Sequence, residues 1–305
     1  MDKETLKRRL LGEFSWKRLV RSLIFIYVFF AVYVYFMADR MIFLPRPSSY
    51  PDTPDILKVT TADDLQISAV YLPNPTATYT ILYIHGNAED LGEIQPLLHH
   101  LHSLGFSVFA YDYRGYGTSQ GSPSEQNAYR DSDTAFTYLK EQLGVPPKQI
   151  IAYGRSVGGG SAVDLAARHP LAGLILESSF TSAFRVVLPI PILPFDKFPN
   201  LDKITQVNCP VLVIHGTADQ TIPLSHGQRL FAAAPKPKHF FWVEGAGHND
   251  LFWVAGEQYG EALHGFAQLV AKTQLPDAEP RTNDQWSRTN NQLVKKEWHH
   301  PCYFW

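Results

Sequence analysis

Cysteine occurs only twice in this chain of 305 residues, at Cys209 and Cys302. Cys209 opens an apolar run and Cys302 lies near the end, so there is nothing from which to build a disulfide framework. The scarcity does not by itself fix a compartment. Net charge is also nearly absent, at −2. No basic field marks the chain for nucleic acid, and no nucleic-acid partner is expected. No internal repeat is evident, which excludes solenoid and propeller arrays. Charged residues make up 18% and hydrophobic ones 45%. That composition suits one globular domain with a sizeable core plus one membrane-like stretch.

That stretch is the run 23–38, LIFIYVFFAVYVYFMA, which carries no charge. As a helix it covers about 24 Å, slightly short of a bilayer core of about 30 Å. Leu19 and Val20 before it and residues 41–44 after it can lengthen it, with Arg21 and Arg40 snorkelling from its ends. Lys7, Arg8, Arg9, Lys17, Arg18 and Arg21 precede the run, whereas only Arg40 and Arg46 closely follow it. The positive-inside rule then predicts a single-pass anchor with a cytoplasmic N-terminus and an extracytoplasmic catalytic domain. A cleaved signal peptide fits less well, because Tyr35-Phe36-Met37 lacks the small residues of a cleavage site. A peripheral or core helix is the other alternative, given Tyr27, Tyr33 and Tyr35.

Pro45, Pro47 and Pro51 break any helix after the run. Strand-like segments then follow at 65–71, 78–84, 107–113, 150–153, 173–176, 211–214 and 239–243. Helical patterns alternate with them at 91–104, 125–143, 158–168, 225–234 and 251–269. Near-continuous apolar strands alternating with helices predict an α/β domain with a mostly parallel sheet buried on both faces. Residues 180–202 interrupt the rhythm with Pro189, Pro191, Pro194 and Pro199, too many for a long helix. They read as a short apolar excursion over the carboxyl end of the sheet, a minimal lid. The expected organisation is a basic segment and anchor at 1–45, a catalytic domain at 46–273 and a polar tail at 274–305. Cys302 near the end does not make a prenylation box, since Tyr303 and Phe304 are not aliphatic.

The chemistry centres on Gly154-Arg155-Ser156-Val157-Gly158, between an apolar strand and a helical run. This is the setting of a nucleophile elbow, in which a sharp turn lifts a serine hydroxyl above the sheet. The crowded turn demands small neighbours, which Gly154 and Gly158 supply. A serine needs a base and the base needs an orienting acid. In the chain order Ser, Asp, His these are Asp219, in a loop after the strand 211–214, and His248, in a Gly-rich loop after 239–243. Glu177 is a competing acid, and Asp250 is read as a helix cap. The oxyanion donors are expected to be the backbone amides of Val157 and of Asn87, in the loop His85-Gly86-Asn87. His99 and His102 have metal-compatible spacing but no evident partner, so no metal or other cofactor is expected. The 111–117 stretch, YDYRGYG, reads as structural.

The wording HGNAEDLG at 85–92, YDYRGYG at 111–117, YGRSVGGG at 153–160, VLVIHGTAD at 211–219 and VEGAGHND at 243–250 resembles the α/β-hydrolase superfamily. Within it the chain is similar to the membrane-associated protein depalmitoylases and their bacterial relatives, over roughly 59–270. The resemblance implies an α/β-hydrolase fold, Ser156, Asp219 and His248 as the triad, and Asn87 and Val157 as oxyanion donors. One departure stands out: those enzymes carry a cysteine-rich, lipidated N-terminus, whereas residues 1–45 here hold no cysteine and a hydrophobic run instead.

The expected function is hydrolysis of acyl esters or thioesters, small or lipid-like, by a membrane-attached monomer. A serine peptidase of the same fold is the alternative. A catalytically silent, membrane-anchored binding protein is a third reading.

Overall fold

A computed structural model describes residues 15–188 and 190–274. The chain divides into two units, Met1–Val270 and Ala271–Trp305. The expectations placed on residues 275–305, and on the basic cluster at Lys7, Arg8 and Arg9, lie outside the described residues.

Eight strands form one sheet in the order β1-β2-β4-β3-β5-β6-β7-β8. They are β1 Leu57–Thr60, β2 Gln66–Leu72, β3 Thr80–Ile84, β4 Ser107–Tyr111, β5 Ile150–Arg155, β6 Gly173–Glu177, β7 Val211–Gly216 and β8 Lys238–Val243. The pairs from β4 through β8 are parallel, and β1 and β2 add antiparallel at one edge. This is the α/β-hydrolase fold, with a mostly parallel sheet flanked by helices. The sequence pattern missed β1, whose four residues alternate too briefly to register as a strand and sit at the sheet edge.

The register decides where the loops emerge. Ile84 lies opposite Gly154, Arg155 opposite Glu177, and Gly216 opposite Val243. The residues that follow β3, β5, β7 and β8 therefore leave from one edge of the sheet. Alternation along each strand feeds two cores. Leu82, Ile84 and Phe109 pack on one face, and Ile81, Tyr83 and Val108 on the other.

The first described helix, α1, runs Trp16–Ile42. Its 27 residues span about 40 Å. It is long and apolar enough to cross a membrane, as a core helix or a signal sequence also would be. Phe25 and Phe36 are 71% and 70% exposed, which excludes a core helix. It is a candidate membrane anchor. Helix α2, Gln95–Ser103, begins four residues later than its pattern suggested, because Asp90 and Asp112 hold residues 91–93 in a turn. Helix α3 is Glu125–Glu141, capped by the Ser124 hydroxyl. Helix α4 is Gly158–Arg168, as its pattern required. Beyond β6 come two short turns of helix, α5 Ala183–Val187 and α6 Asn200–Lys203, bracketing the proline-rich excursion. Helix α7, Leu224–Ala233, follows β7. The pattern at 251–269 resolves into α8 Leu251–Ala255 and α9 Glu257–Gln274, broken where Gly256 takes a φ of 52°.

Phe198 knits three of these parts together. It is fully buried, and its ring packs edge-on to Phe43 just past α1, to Tyr129 on α3 and to Phe180 at the start of the excursion. Gly160 on α4 has no side chain because a Cβ there would lie 2.2 Å from the Phe198 ring. Phe198→Ala is expected to lower the unfolding free energy by about 3–5 kcal/mol. A fall in Tm measured in detergent checks this, and an unchanged Tm refutes it.

Candidate active site

The turn after β5 is strained in a way only close packing sustains. Ser156 has a φ of 52°, the left-handed region that a residue with a Cβ rarely occupies. Its amide is held by the Glu177 carbonyl at 2.9 Å. Its carbonyl accepts from Ser179 Oγ at 3.1 Å. The flanking glycines are steric necessities. A Cβ on Gly154 would lie 2.5 Å from the Gly158 carbonyl oxygen, and one on Gly158 would lie 2.1 Å from that of Ile84. The serine is thereby lifted above the sheet edge at the head of α4.

The loops after β7 and β8 bring their residues to this point. His248 Nε2 lies 3.1 Å from Ser156 Oγ, and His248 Nδ1 lies 2.8 Å from Asp219 Oδ2. Asp219 divides its oxygens between two tasks. Oδ1 accepts from the amides of Thr221 and Ile222 at 2.9 and 2.8 Å, and Oδ2 faces the imidazole. Burial pushes the Asp219 carboxyl up. The hydrogen bonds from His248 and the Ile222 amide, with the imidazoles of His248 and His215 nearby, outweigh that and leave it below the usual carboxylate range. Burial shifts His215 the other way, towards the neutral form, and its Nε2 is held by the Ile222 carbonyl at 2.8 Å. The three residues singled out in the sequence therefore meet.

Glu177 is not the acid of this cluster. It accepts from Tyr153 and Tyr259 hydroxyls and pairs with Arg155 Nε at 3.2 Å, inside the sheet layer. Asp250 stands at the N-cap position just before α8, but its side chain does not cap the helix. Its carboxylate instead accepts from the Gly247 amide at 2.6 Å and braces the His248 loop. The reason is the tight Gly-rich turn, which leaves the Gly247 N–H pointing back at that side chain.

Asn87 lies in the loop after β3, as expected. Neither its amide nor that of Val157 meets a carbonyl partner among the described residues. The Asn87 side chain is fully engaged elsewhere. Its Oδ1 accepts from Tyr116 OH and the Leu44 amide at 2.6 and 2.9 Å, and its Nδ2 donates to the Ile42 carbonyl at 2.7 Å. It ties the end of α1 to the loop.

Arg155 was passed over in the sequence. It pairs with Glu177 and Glu89, and donates to the His248 carbonyl at 3.2 Å and to Asn249 Oδ1 at 2.9 Å. Glu89 in turn accepts from the Gly86 amide at 2.8 Å. One guanidinium thus joins the histidine loop, the sheet and the Asn87 loop. The available signal was an arginine ending a buried apolar strand, a position that requires carboxylate partners.

The 111–117 stretch is structural. Asp112 receives the Leu91 amide, and Arg114 pairs with Asp131 and Asp63. His102 Nε2 donates to the Pro73 carbonyl at 3.1 Å, and no group of three His, Cys, Asp or Glu among the described residues is placed to hold a metal ion. A cavity of about 950 Å³ between α3 and β1, lined by Arg114, Arg130 and Tyr138 among others, shares no residue with the Ser156 cluster.

A family model described as "Serine aminopeptidase, S33" matches residues 75–195. Alpha/beta hydrolase domain-containing protein 17B of Xenopus laevis is 46% identical over 201 residues, covering 65% of this chain and 68% of that protein. Alpha/beta hydrolase domain-containing protein 17C of Mus musculus is 41% identical over 231 residues, covering 74% and 70%. Among solved structures, an esterase of Pyrococcus furiosus superposes with a TM-score of 0.63 at 18% identity, covering 74% of this chain and 98% of that one. That last likeness is one of fold. The identity over two thirds of the first two proteins goes further: the chain belongs to the alpha/beta hydrolase domain-containing protein 17 family, serine hydrolases of the α/β-hydrolase fold.

Proposed function

We propose that the chain hydrolyses carboxylic esters or thioesters of acyl chains through Ser156, His248 and Asp219 and an acyl-enzyme. The observation that carries this is the unbroken line from Ser156 Oγ to His248 Nε2 and from His248 Nδ1 to Asp219 Oδ2. His248 takes the hydroxyl proton as Ser156 Oγ attacks the acyl carbon. Asp219 holds the imidazole in the tautomer with Nδ1 protonated and stabilises its cation. The tetrahedral oxyanion is met by the unpaired amides of Val157 and Asn87, at the positive end of α4. His248 returns the proton to the leaving alcohol or thiol. Water then attacks the acyl-enzyme with His248 as base again.

Acyl substrates are favoured by the description of the solved neighbour as an esterase. The description of the matching family model leaves a peptidase as the second reading, and preferential cleavage of aminoacyl amides would establish it. The membrane part of the reading is that α1 spans the bilayer as an uncleaved anchor, with the N-terminus cytoplasmic and the catalytic domain on the far side.

Three outcomes are expected. A fluorophosphonate probe labels the wild type and not Ser156→Ala, and Asp219→Asn lowers kcat on acyl esters by about 10³–10⁴ with the fold intact. Equal labelling of Ser156→Ala would remove the nucleophile. Arg155→Leu lowers kcat by about tenfold to a hundredfold through misplacement of the His248 loop, with KM within threefold. A change in KM alone would contradict that role. The third concerns pH. The folded-state Asp219 carboxyl lies below its unfolded value. Its ionised form therefore stabilises the fold at neutral pH, and this contribution disappears as pH falls below about 5. Tm plotted against pH should drop less steeply on the acid side for Asp219→Asn than for wild type, and parallel curves would refute the linkage.

A further inference from the structure

The last turn of α1 closes on the loop after β3. Carbonyls at the end of a helix lack partners within it. That of Ile42, the final residue of α1, accepts from Asn87 Nδ2 at 2.7 Å. Two residues on, the Leu44 amide donates to Asn87 Oδ1 at 2.9 Å. The same amide lies 3.0 Å from the Tyr116 hydroxyl, which itself donates to Oδ1 at 2.6 Å. Both ends of the Asn87 side chain are thus held by the end of the helix.

That end is itself fixed in the domain. Phe43 is buried against Tyr113, Tyr116 and Phe198. Asp39 accepts from the Glu125 amide at 3.2 Å and pairs with Lys197 at 3.1 Å. Earlier in the helix, Ala31, Val34 and Ala38 pack on Phe184 and Leu193 of the proline-rich excursion.

On its other side Asn87 shapes the loop that carries its own main-chain amide. Ala88 sits at a φ of 57°, a conformation disfavoured for a residue with a Cβ. The Ala88 amide is held there by Asn87 Oδ1 at 2.9 Å. The Gly86 amide, on the near side, donates to Glu89 at 2.8 Å. The direction of the Asn87 N–H therefore depends on a side chain whose own partners lie at the end of α1. An oxyanion donor is effective only when it stands about 3 Å from the developing charge, so this dependence reaches the chemistry.

We propose that the Asn87 side chain acts as a positioning group that couples α1 to the oxyanion hole, so that the Asn87 amide is aimed only while the last turn of α1 is docked. This rests on the hydrolase reading above and gives α1 a part in turnover itself. Displacing α1 frees Oδ1 and Nδ2, lets Ala88 leave its left-handed conformation and turns the Asn87 N–H away. Ser156, His248 and Asp219 stay in line, because none of their mutual hydrogen bonds involves α1.

The test uses full-length protein in detergent and a water-soluble short-chain ester. Leu44→Pro deletes the N–H that Asn87 accepts. The backbone admits it, since Phe43 is extended at φ −94° and ψ 124° and Pro45 follows. Leu44→Ala keeps the N–H and is the reference. Relative to it, Leu44→Pro is expected to lower kcat about tenfold with KM within about threefold. The Ki of a trifluoromethyl ketone, whose hemiketal with Ser156 places an oxyanion in the same hole, should rise by a similar factor. Asn87→Ala should lower kcat by about tenfold to a hundredfold. Adding Leu44→Pro to Asn87→Ala should cost nothing more, because the amide acts through that side chain. An unchanged kcat in Leu44→Pro, or losses that multiply in the double variant, overturns the proposal. If Leu44→Pro does not fold, Tyr116→Phe, which removes the hydroxyl between Leu44 and Asn87, carries the same expectation. Hydrogen exchange of the amides at 85–91 reads the link without turnover. Faster exchange in Leu44→Pro than in Leu44→Ala supports it, and equal exchange overturns it. If the wild type hydrolyses no ester, the hydrolase reading fails while exchange still decides whether α1 holds the loop.

Discussion

The approach of α4 to the end of β3 is the constraint on which the rest depends. Gly158 sits so close to the Ile84 carbonyl that no Cβ fits between them. Only this approach lets the chain reverse within one residue, with Ser156 at a φ of 52°. The strain is of order 1–3 kcal/mol and persists because the surroundings over-determine it. The sheet holds the Ser156 amide, Ser179 holds its carbonyl, and α4 starts at once. A relaxed turn would swing the hydroxyl away from His248.

Around that turn the structure keeps polar groups in two separate layers. The upper one is the Ser156, His248 and Asp219 cluster at the sheet edge. The lower one is Arg155 with Glu177 and Glu89, each carboxylate paired and partly hydrogen-bonded to backbone or tyrosine. Glu177 and Asp219 emerge from adjacent strands. Their environments divide them: Glu177 faces Tyr153, Tyr259 and a guanidinium, while Asp219 faces an imidazole. An acid that already neutralises an arginine is not free to orient a histidine. Phe43 and Phe198 then connect this framework to α1 and the proline-rich excursion, so the apolar extensions are built into the core rather than appended to it.

Much of this was legible along the chain. Parallel strands buried on both faces are continuous apolar runs, so β3 through β8 stood out, as did α4 from its glycines. Ser156, Asp219 and His248 could be picked out as candidates because each follows such a strand in a short loop. The edge strand β1 was not legible, since four residues with only Val59 buried carry too little pattern. The break in the last helix depended on a left-handed Gly256, which a helical period does not register.

The amino-acid sequence by itself determined the fold class and the elbow around Ser156, and offered Asp219, Glu177 and His248 as candidates, because these rest on local periodicity and on steric demands within a few residues. Only the tertiary structure decided the choice between Asp219 and Glu177, the bracing role of Arg155, the turning of the Asp250 carboxylate on Gly247 and the seating of the proline-rich excursion on α1. Each of these depends on which atoms meet across separations of many residues, and hydrogen bonding at about 3 Å is a property of that meeting rather than of the residues that take part.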